Sequence, residues 1–170
     1  RLPGTLVTLV AKEDPTRPPP PGEPGEIVFL GPQVMKGYWK RPEADADVFI
    51  GKALRTGDVG LIDEDGYVRI VDRLKDMIAV SGFKVFPSQI EARLYTHQAV
   101  KEALVIGIPD RYAGERPKAF VTLVDGEPVD VDALRSWLNQ ELGRHDQVVA
   151  IEVRESLPKT MIGKLSRKEL

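Results

Sequence analysis

The sequence predicts an α+β fold: a small antiparallel β region, a charged joint, and then a mixed layer of strands and helices. Three observations predict it. Most of the 14 prolines fall in the first 42 residues, where they cut the chain into short strand-like runs. After residue 76 the apolar residues alternate between unbroken runs and a spacing of three to four, the mark of strands and helices in turn. Between these parts lies Asp72-Arg73-Leu74-Lys75-Asp76, almost entirely charged, which reads as an exposed joint or a salt-bridged linker.

The elements follow in order. Leu6 to Val10 and Glu26 to Leu30 read as strands. Arg17-Pro18-Pro19-Pro20-Pro21-Gly22 between them has too few donors for helix or central strand and reads as an extended loop. Asp63-Glu64-Asp65-Gly66 is a hairpin turn between Val59–Ile62 and Tyr67–Val71. Residues 1–72 are therefore expected to be antiparallel β structure. Met77 to Val80 is a short apolar run closed by Ser81-Gly82. Pro87 can start a helix, with Ile90 and Leu94 on one face. Val100 to Ile108 is a buried strand stopped by Pro109-Asp110, and Lys118 to Val124 is a second. Asp130 can cap a helix carrying Leu134, Trp137 and Leu138, and Gly143 is placed to end it. Val148 to Val153 is a third strand. Phe120, Trp137 and Met77 are expected in the core.

Composition excludes several functions. The 170 residues carry 24 Lys plus Arg and 26 Asp plus Glu, a formal net charge of −2. No electrostatic field attracts nucleic acid. With no cysteine there is no disulfide framework, thiolate metal site or cysteine nucleophile. His97 and His145 lack a ligand spacing, so no metal site is expected. No apolar run approaches the roughly 20 residues of a membrane span. No signal pattern is visible, and a cytoplasmic location is expected. The first residue is Arg1, and the chain reads as a fragment of a longer protein.

Four segments are harder to explain as packing. Leu54-Arg55-Thr56-Gly57-Asp58 can present a carboxylate to a pair of ribose hydroxyls, although an ordinary Gly-Asp turn has the same sequence. The charged joint is the second. In Ser81-Gly82-Phe83-Lys84 the glycine permits close backbone approach to a ligand and Lys84 can meet a phosphate; a plain turn is the alternative. Pro158-Lys159-Thr160-Met161-Ile162-Gly163-Lys164 places a lysine behind a glycine, suited to an anion, or is simply a solvated basic tail.

Together the segments resemble one family. Gly25-Glu26-Ile27-Val28, Gly31 and Gly37-Tyr38-Trp39 with Pro42-Glu43 are similar to the sixth core motif of the adenylate-forming, AMP-dependent enzymes. Arg55-Thr56-Gly57-Asp58 is similar to the seventh. Gly66-Tyr67 through Asp72–Asp76 to Gly82, Pro87 and Ile90-Glu91 is similar to the eighth. Pro158-Lys159-Thr160 with Gly163-Lys164 and Arg167 is similar to the tenth. Val105–Asp110 and Pro117–Leu123 most resemble the fatty-acyl-CoA ligase branch.

The resemblance implies a division at the joint. Residues 1–74 would end a large N-terminal domain as its β subdomain, and residues 75–170 would be the hinge and a C-terminal α+β lid domain. It implies activation of a carboxylic acid, in this branch a fatty acid, with ATP and Mg2+ to an acyl-adenylate, then transfer of the acyl group to CoA. Asp58 would hold the ribose hydroxyls, and Arg73 would reach the ribose or phosphate. Lys164 would bridge the carboxylate and the α-phosphate. Lys75 would be the hinge of a rotation between the half-reactions. Gly82 would line the pantetheine channel and Lys84 would contact a CoA phosphate. The family's phosphate-binding loop and acyl pocket have no counterpart here, so the chain alone is expected to be inactive. A carrier-loading adenylation domain and a non-catalytic nucleotide-binding or interaction module are the alternative readings.

Overall fold

Strand β1 (Leu6–Val10) pairs antiparallel with β2 (Gly25–Leu30), as the apolar runs on either side of the proline loop require. The computed structural model describes residues 2–124 and 129–170, so Arg1 lies outside the described residues. The chain separates into two compact units, Arg1–Lys75 and Asp76–Leu170.

In the first unit, α1 (Pro42–Val48) leads into β3 (Phe49–Ile50) and the long β4 (Ala53–Ile62), and β5 (Val68–Arg73) returns along β4. The sheet order is β1-β2-β4-β3, with β5 also on β4. The Asp63–Gly66 turn forms as expected: Asp63 Oδ1 accepts from the Tyr67 amide at 2.8 Å, and Gly66 takes φ +81°. Ile27, Val28 and Val59 are buried. The helix α1 is a departure from the all-β expectation. Its start signals are present in the sequence, a proline at the first helical position and acids in the first turn, but it buries no residue, so no apolar periodicity announces it.

A 3-10 turn, Leu74–Asp76, crosses the boundary between the units. The second unit then runs β6 (Ile78–Val80), β7 (Phe83–Val85), α2 (Pro87–Leu94), β8 (Val100–Asp110), β9 (Gly114–Leu123), α3 (Val131–Glu141) and β10 (Ala150–Val153). Its sheet is mixed: β9 is flanked by antiparallel β8 and parallel β10 and touches β6 at one end. Side chains alternate across it with the strand period of two. Ala103, Val105, Ala119 and Val121 pack with α2 and α3, through Ile90, Leu94, Leu134 and Leu138. Leu104 and Phe120 form a second cluster with Leu157, joined by Leu165 and Leu170 of the C-terminal segment.

Three local expectations are corrected. Strand β8 does not stop at Pro109, which pairs with Glu115. Among the described residues the opposite edge of β8 carries no strand, and an edge tolerates the missing donor. Gly143 directly follows the Leu142 cap of α3, as expected, but without the left-handed φ of a glycine cap. Leu142 leaves the helix in an extended conformation, and the Asn139 side chain binds both the amide and the carbonyl of Val148, at 2.8 and 3.0 Å. Met77 is only half-buried, as is Trp137, which lies against the core and edge-on to His97. Asp130 does cap α3, accepting from the amides of Asp132 and Ala133.

Candidate functional site

Strand β4 cannot stay in register with β2. Glu26 faces Val59, but Val28 faces Arg55, so Thr56-Gly57-Asp58 bulges out opposite Ile27. The sequence explains the bulge. Gly57 adopts φ +72°, open to glycine without strain. The Thr56 hydroxyl donates to the Ile27 carbonyl at 2.9 Å and accepts from the Asp58 amide at 3.1 Å. Beneath it, Glu26 is a buried carboxylate, 3% exposed. Its Oε2 accepts from Arg55 Nε and Nη2, both at 2.8 Å, and its Oε1 from the Gly57 amide at 3.0 Å. A bulge of this kind re-aims one side chain, here Asp58.

Asp58 lies opposite Arg73 on β5, and Arg73 Nε meets Asp58 Oδ1 at 3.0 Å. The Arg73 amide is in turn held by Asp72 Oδ1 at 2.7 Å. Beside the bulge is an open cleft of about 380 Å3 lined by Arg55, Thr56, Gly57, Arg73 and Lys75, among others. The first unit thus brings Asp58, Arg73 and the exposed Lys75 to one place. One oxygen of Asp58 is fixed by Arg73, and its partly exposed carboxylate suits a neutral diol donor pair.

Lys164 sits in the second unit on a closed loop. Lys159 and Leu165 bridge its base. The Thr160 amide donates to the Lys164 carbonyl at 2.7 Å, and the Lys164 amide donates to Thr160 Oγ1 at 3.2 Å. Gly163 makes the turn at φ +79°. Lys159 is committed to Glu102 at 2.6 Å, whereas Lys164 is exposed and makes no ion pair among the described residues. At the tip, Met161 is fully exposed and Ile162 largely so. The loop presents one ammonium on a backbone fixed by the Pro158-Lys159-Thr160 residues before it, a form suited to anionic oxygens.

Gly82 and Lys84 share the β6–β7 hairpin. Ser81 and Gly82 both take positive φ, the two-residue turn that matches strand twist. A Cβ on Gly82 would meet nothing within 4 Å, so the turn is open to an approaching chain. The adjacent Phe83 stacks on His145, with ring centroids 3.7 Å apart.

The residues that sequence reasoning passed over are those that hold the named ones. Glu26, Glu91 and Arg167 all lie within the motifs, but only the structure pairs Glu26 with Arg55 and Arg167 with Glu91 and Asp76. These partners are 29, 76 and 91 residues apart, beyond any local pattern.

Comparison with known proteins shows the family of the chain. Residues 89–164 match the AMP-binding enzyme C-terminal domain. The chain is 45% identical over 150 residues to a long-chain-fatty-acid–CoA ligase of Bacillus subtilis (strain 168), a match over 88% of this chain and 27% of that protein. It is also 45% identical over 153 residues to a feruloyl-CoA synthase of Amycolatopsis sp., over 90% of this chain and 31% of that one. Among solved structures, ATP-bound MatB from Rhodopseudomonas palustris superposes with a TM-score of 0.89 at 32% identity, covering 98% of this chain and 33% of that chain. The chain therefore spans about a third or less of these relatives. None of its described helices is long and apolar enough to cross a membrane. The chain is therefore a member of the adenylate-forming, AMP-dependent enzyme family, with residues 89–164 matching its C-terminal domain.

Proposed function

We propose that the protein containing this chain activates a carboxylic acid with Mg-ATP and transfers the acyl group to CoA. In the first half-reaction a carboxylate oxygen attacks the α-phosphorus and pyrophosphate leaves. In the second, the CoA thiolate attacks the acyl carbonyl and AMP leaves. Asp58 accepts hydrogen bonds from the ribose hydroxyls, while Arg73 holds its other oxygen and lies near the ribose or phosphate. Lys164 bridges the incoming carboxylate and the α-phosphate, where negative charge gathers on attack. Lys75 is the hinge on which residues 75–170 rotate as a lid against the β subdomain of residues 1–74. After rotation Gly82 borders the pantetheine and Lys84 meets a CoA phosphate. Mg2+ enters with ATP as substrate; among the described residues no cluster of His, Asp and Glu is arranged to hold a metal.

The observation that carries this reading is the pairing of Asp58 with Arg73 at 3.0 Å on the bulged strand, in a chain that also fixes an exposed Lys164 on its own loop. The relatives favour an acyl-CoA ligase. A long-chain-fatty-acid–CoA ligase and a feruloyl-CoA synthase match at the same 45% identity, so an aryl acid is the second reading of the substrate beside a fatty acid.

The test is ATP–pyrophosphate exchange by the full-length enzyme and its Lys164→Ala variant, with fatty and aryl acids in one panel. Loss of exchange in the variant, with conversion of supplied acyl-adenylate and CoA to thioester retained, supports the reading. Unchanged exchange removes Lys164 from the mechanism. The acid giving the highest kcat/KM decides between the two substrate classes.

A further inference from the structure

Arg167 makes a fork of contacts that none of the proposed roles uses. Its Nη2 lies 2.6 and 2.8 Å from the two carboxylate oxygens of Glu91. Its Nη1 is 3.1 Å from Asp76 Oδ2, and its Nε donates to the Val105 carbonyl at 3.1 Å. Glu91 Oε1 also accepts from the Val105 amide at 2.8 Å. The pair therefore satisfies both backbone groups of Val105 on the edge of β8 that no described strand covers. All three charged side chains are largely buried: Arg167 is 24% exposed, Asp76 18% and Glu91 13%.

We propose that Arg167 is a positioning residue that makes the Lys164 loop move as one piece with the second unit while fixing that unit's end of the hinge. The proposal rests on the roles given above to Lys164 and Lys75. Lys164 is three residues before Arg167, and between them Leu165 packs against the Leu104–Phe120 cluster. Leu157 anchors the other end of the loop in the same cluster. The Lys159–Glu102 ion pair ties the start of the loop to β8, and the guanidinium adds a directional anchor at its far end, where Leu165 alone would let the loop swing. At the other end, Asp76 directly follows Lys75. On the first-unit side Asp72 is buried and holds the Arg73 amide, and Arg73 is paired with Asp58. On the second-unit side Asp76 is held by Arg167, and Ile78 is buried. Only Leu74 and Lys75 lie between these holds, so a backbone rotation falls on them. Lysine cannot replace Arg167, because one ammonium on a flexible stem does not reach three acceptors fixed in a planar fork.

The experiment uses the full-length enzyme with Arg167→Lys, Glu91→Gln and Lys164→Ala variants, read by hydrogen exchange and by the two half-reactions. In Arg167→Lys, peptides covering residues 157–166 should exchange roughly tenfold faster, with α2 and β9 as protected as before. ATP–pyrophosphate exchange should fall on the order of 100-fold, as misplacement of a reacting group by about an ångström does. Thioester formation from supplied acyl-adenylate should stay within a few-fold, and Glu91→Gln should reproduce the pattern. On the Lys164→Ala background, Arg167→Lys should cause no further loss of exchange activity. Unchanged loop protection in Arg167→Lys overturns the proposal, as does equal loss of both half-reactions. If Lys164→Ala itself retains pyrophosphate exchange, the role given to Lys164 fails, while loop protection still decides whether Arg167 holds the loop.

Discussion

Each unit is tied by an arginine–carboxylate clamp, and the two clamps are built in opposite senses. In the first unit the centre is an acid: Glu26 collects the Arg55 guanidinium and the Gly57 amide. In the second the centre is a base: Arg167 collects Glu91, Asp76 and the Val105 carbonyl. The backbone explains the choice. A bulge leaves an amide without a ladder partner, and an ionised carboxylate only accepts, so an acid belongs beneath Gly57. An uncovered strand edge offers a carbonyl as well as an amide, and a guanidinium only donates, so the Val105 edge needs both Arg167 and Glu91. The first clamp joins neighbouring strands of one sheet; the second gathers a turn, a helix, a strand edge and the C-terminal segment.

The largest effect is expected at the more buried centre. Glu26→Ala leaves the Arg55 charge and the Gly57 amide without their acceptor. Breaking a buried pair from one side costs several kcal/mol. Arg55 keeps some access to water, its side chain being 25% exposed, so we expect about 3 kcal/mol, the lower end of that range. Urea unfolding of the wild-type and variant chains measures it. A loss below about 1 kcal/mol would mean that the bulge is held by Thr56 and Gly57 alone.

A smaller effect separates the two presenting loops. Gly57 and Gly163 both take positive φ, +72° and +79°, and a Cβ on either meets nothing within 4 Å. Alanine at each therefore carries the same backbone strain, about 1–2 kcal/mol. At Gly57 the strain lies inside a sheet and should appear in full as lost global stability. At Gly163 it lies in an exposed loop that can open locally, so the melting temperature should hold while the loop amides lose protection. Equal melting losses at both positions would show the Lys164 loop to be as integral to its unit as the bulge is to the sheet.

Much of this was legible in the sequence, for a physical reason. Most of the strands, α2 and α3 are written in local apolar periodicity, and the Asp130 cap and the Asp63–Gly66 turn in local polar chemistry, whereas the two-residue β3 and the first half of β4 are not. The helix α1 was not, because it buries nothing. The end of α3 lies where Gly143 marks it, but Leu142 leaves the helix extended and Gly143 takes no left-handed φ, a difference in cap geometry that residue type alone does not reveal. For the candidate site, the presenting residues sit in glycine-marked segments that a sequence exposes: Asp58 after Gly57, Lys164 after Gly163, Lys84 near Gly82. Their holders were invisible as holders, since nothing within a short window distinguishes Glu26 or Arg167 from a surface charge until the fold brings the partner from 29 to 91 residues away.

The smallest effect tests what becomes of a carboxylate that burial reaches but no cation clamps. Asp146 is half-buried and, unlike Glu26, has no ion pair among the described residues. Burial pushes its carboxyl above the ordinary value, only partly countered by the neighbouring His145. The folded state thus holds the proton more tightly than the unfolded state, so this group stabilises the fold below the unfolded pKa of about 3.9. That contribution is lost as the pH rises through the raised folded value. At neutral pH the carboxylate is ionised in both states, and only the folded one bears the loss of water. Asp146→Asn should therefore raise the melting temperature slightly at pH 7 and leave it unchanged near pH 3. Melts across that range check the sign, and a variant less stable at pH 7 would mean that the ionised Asp146 has found the partner that Glu26 has in Arg55.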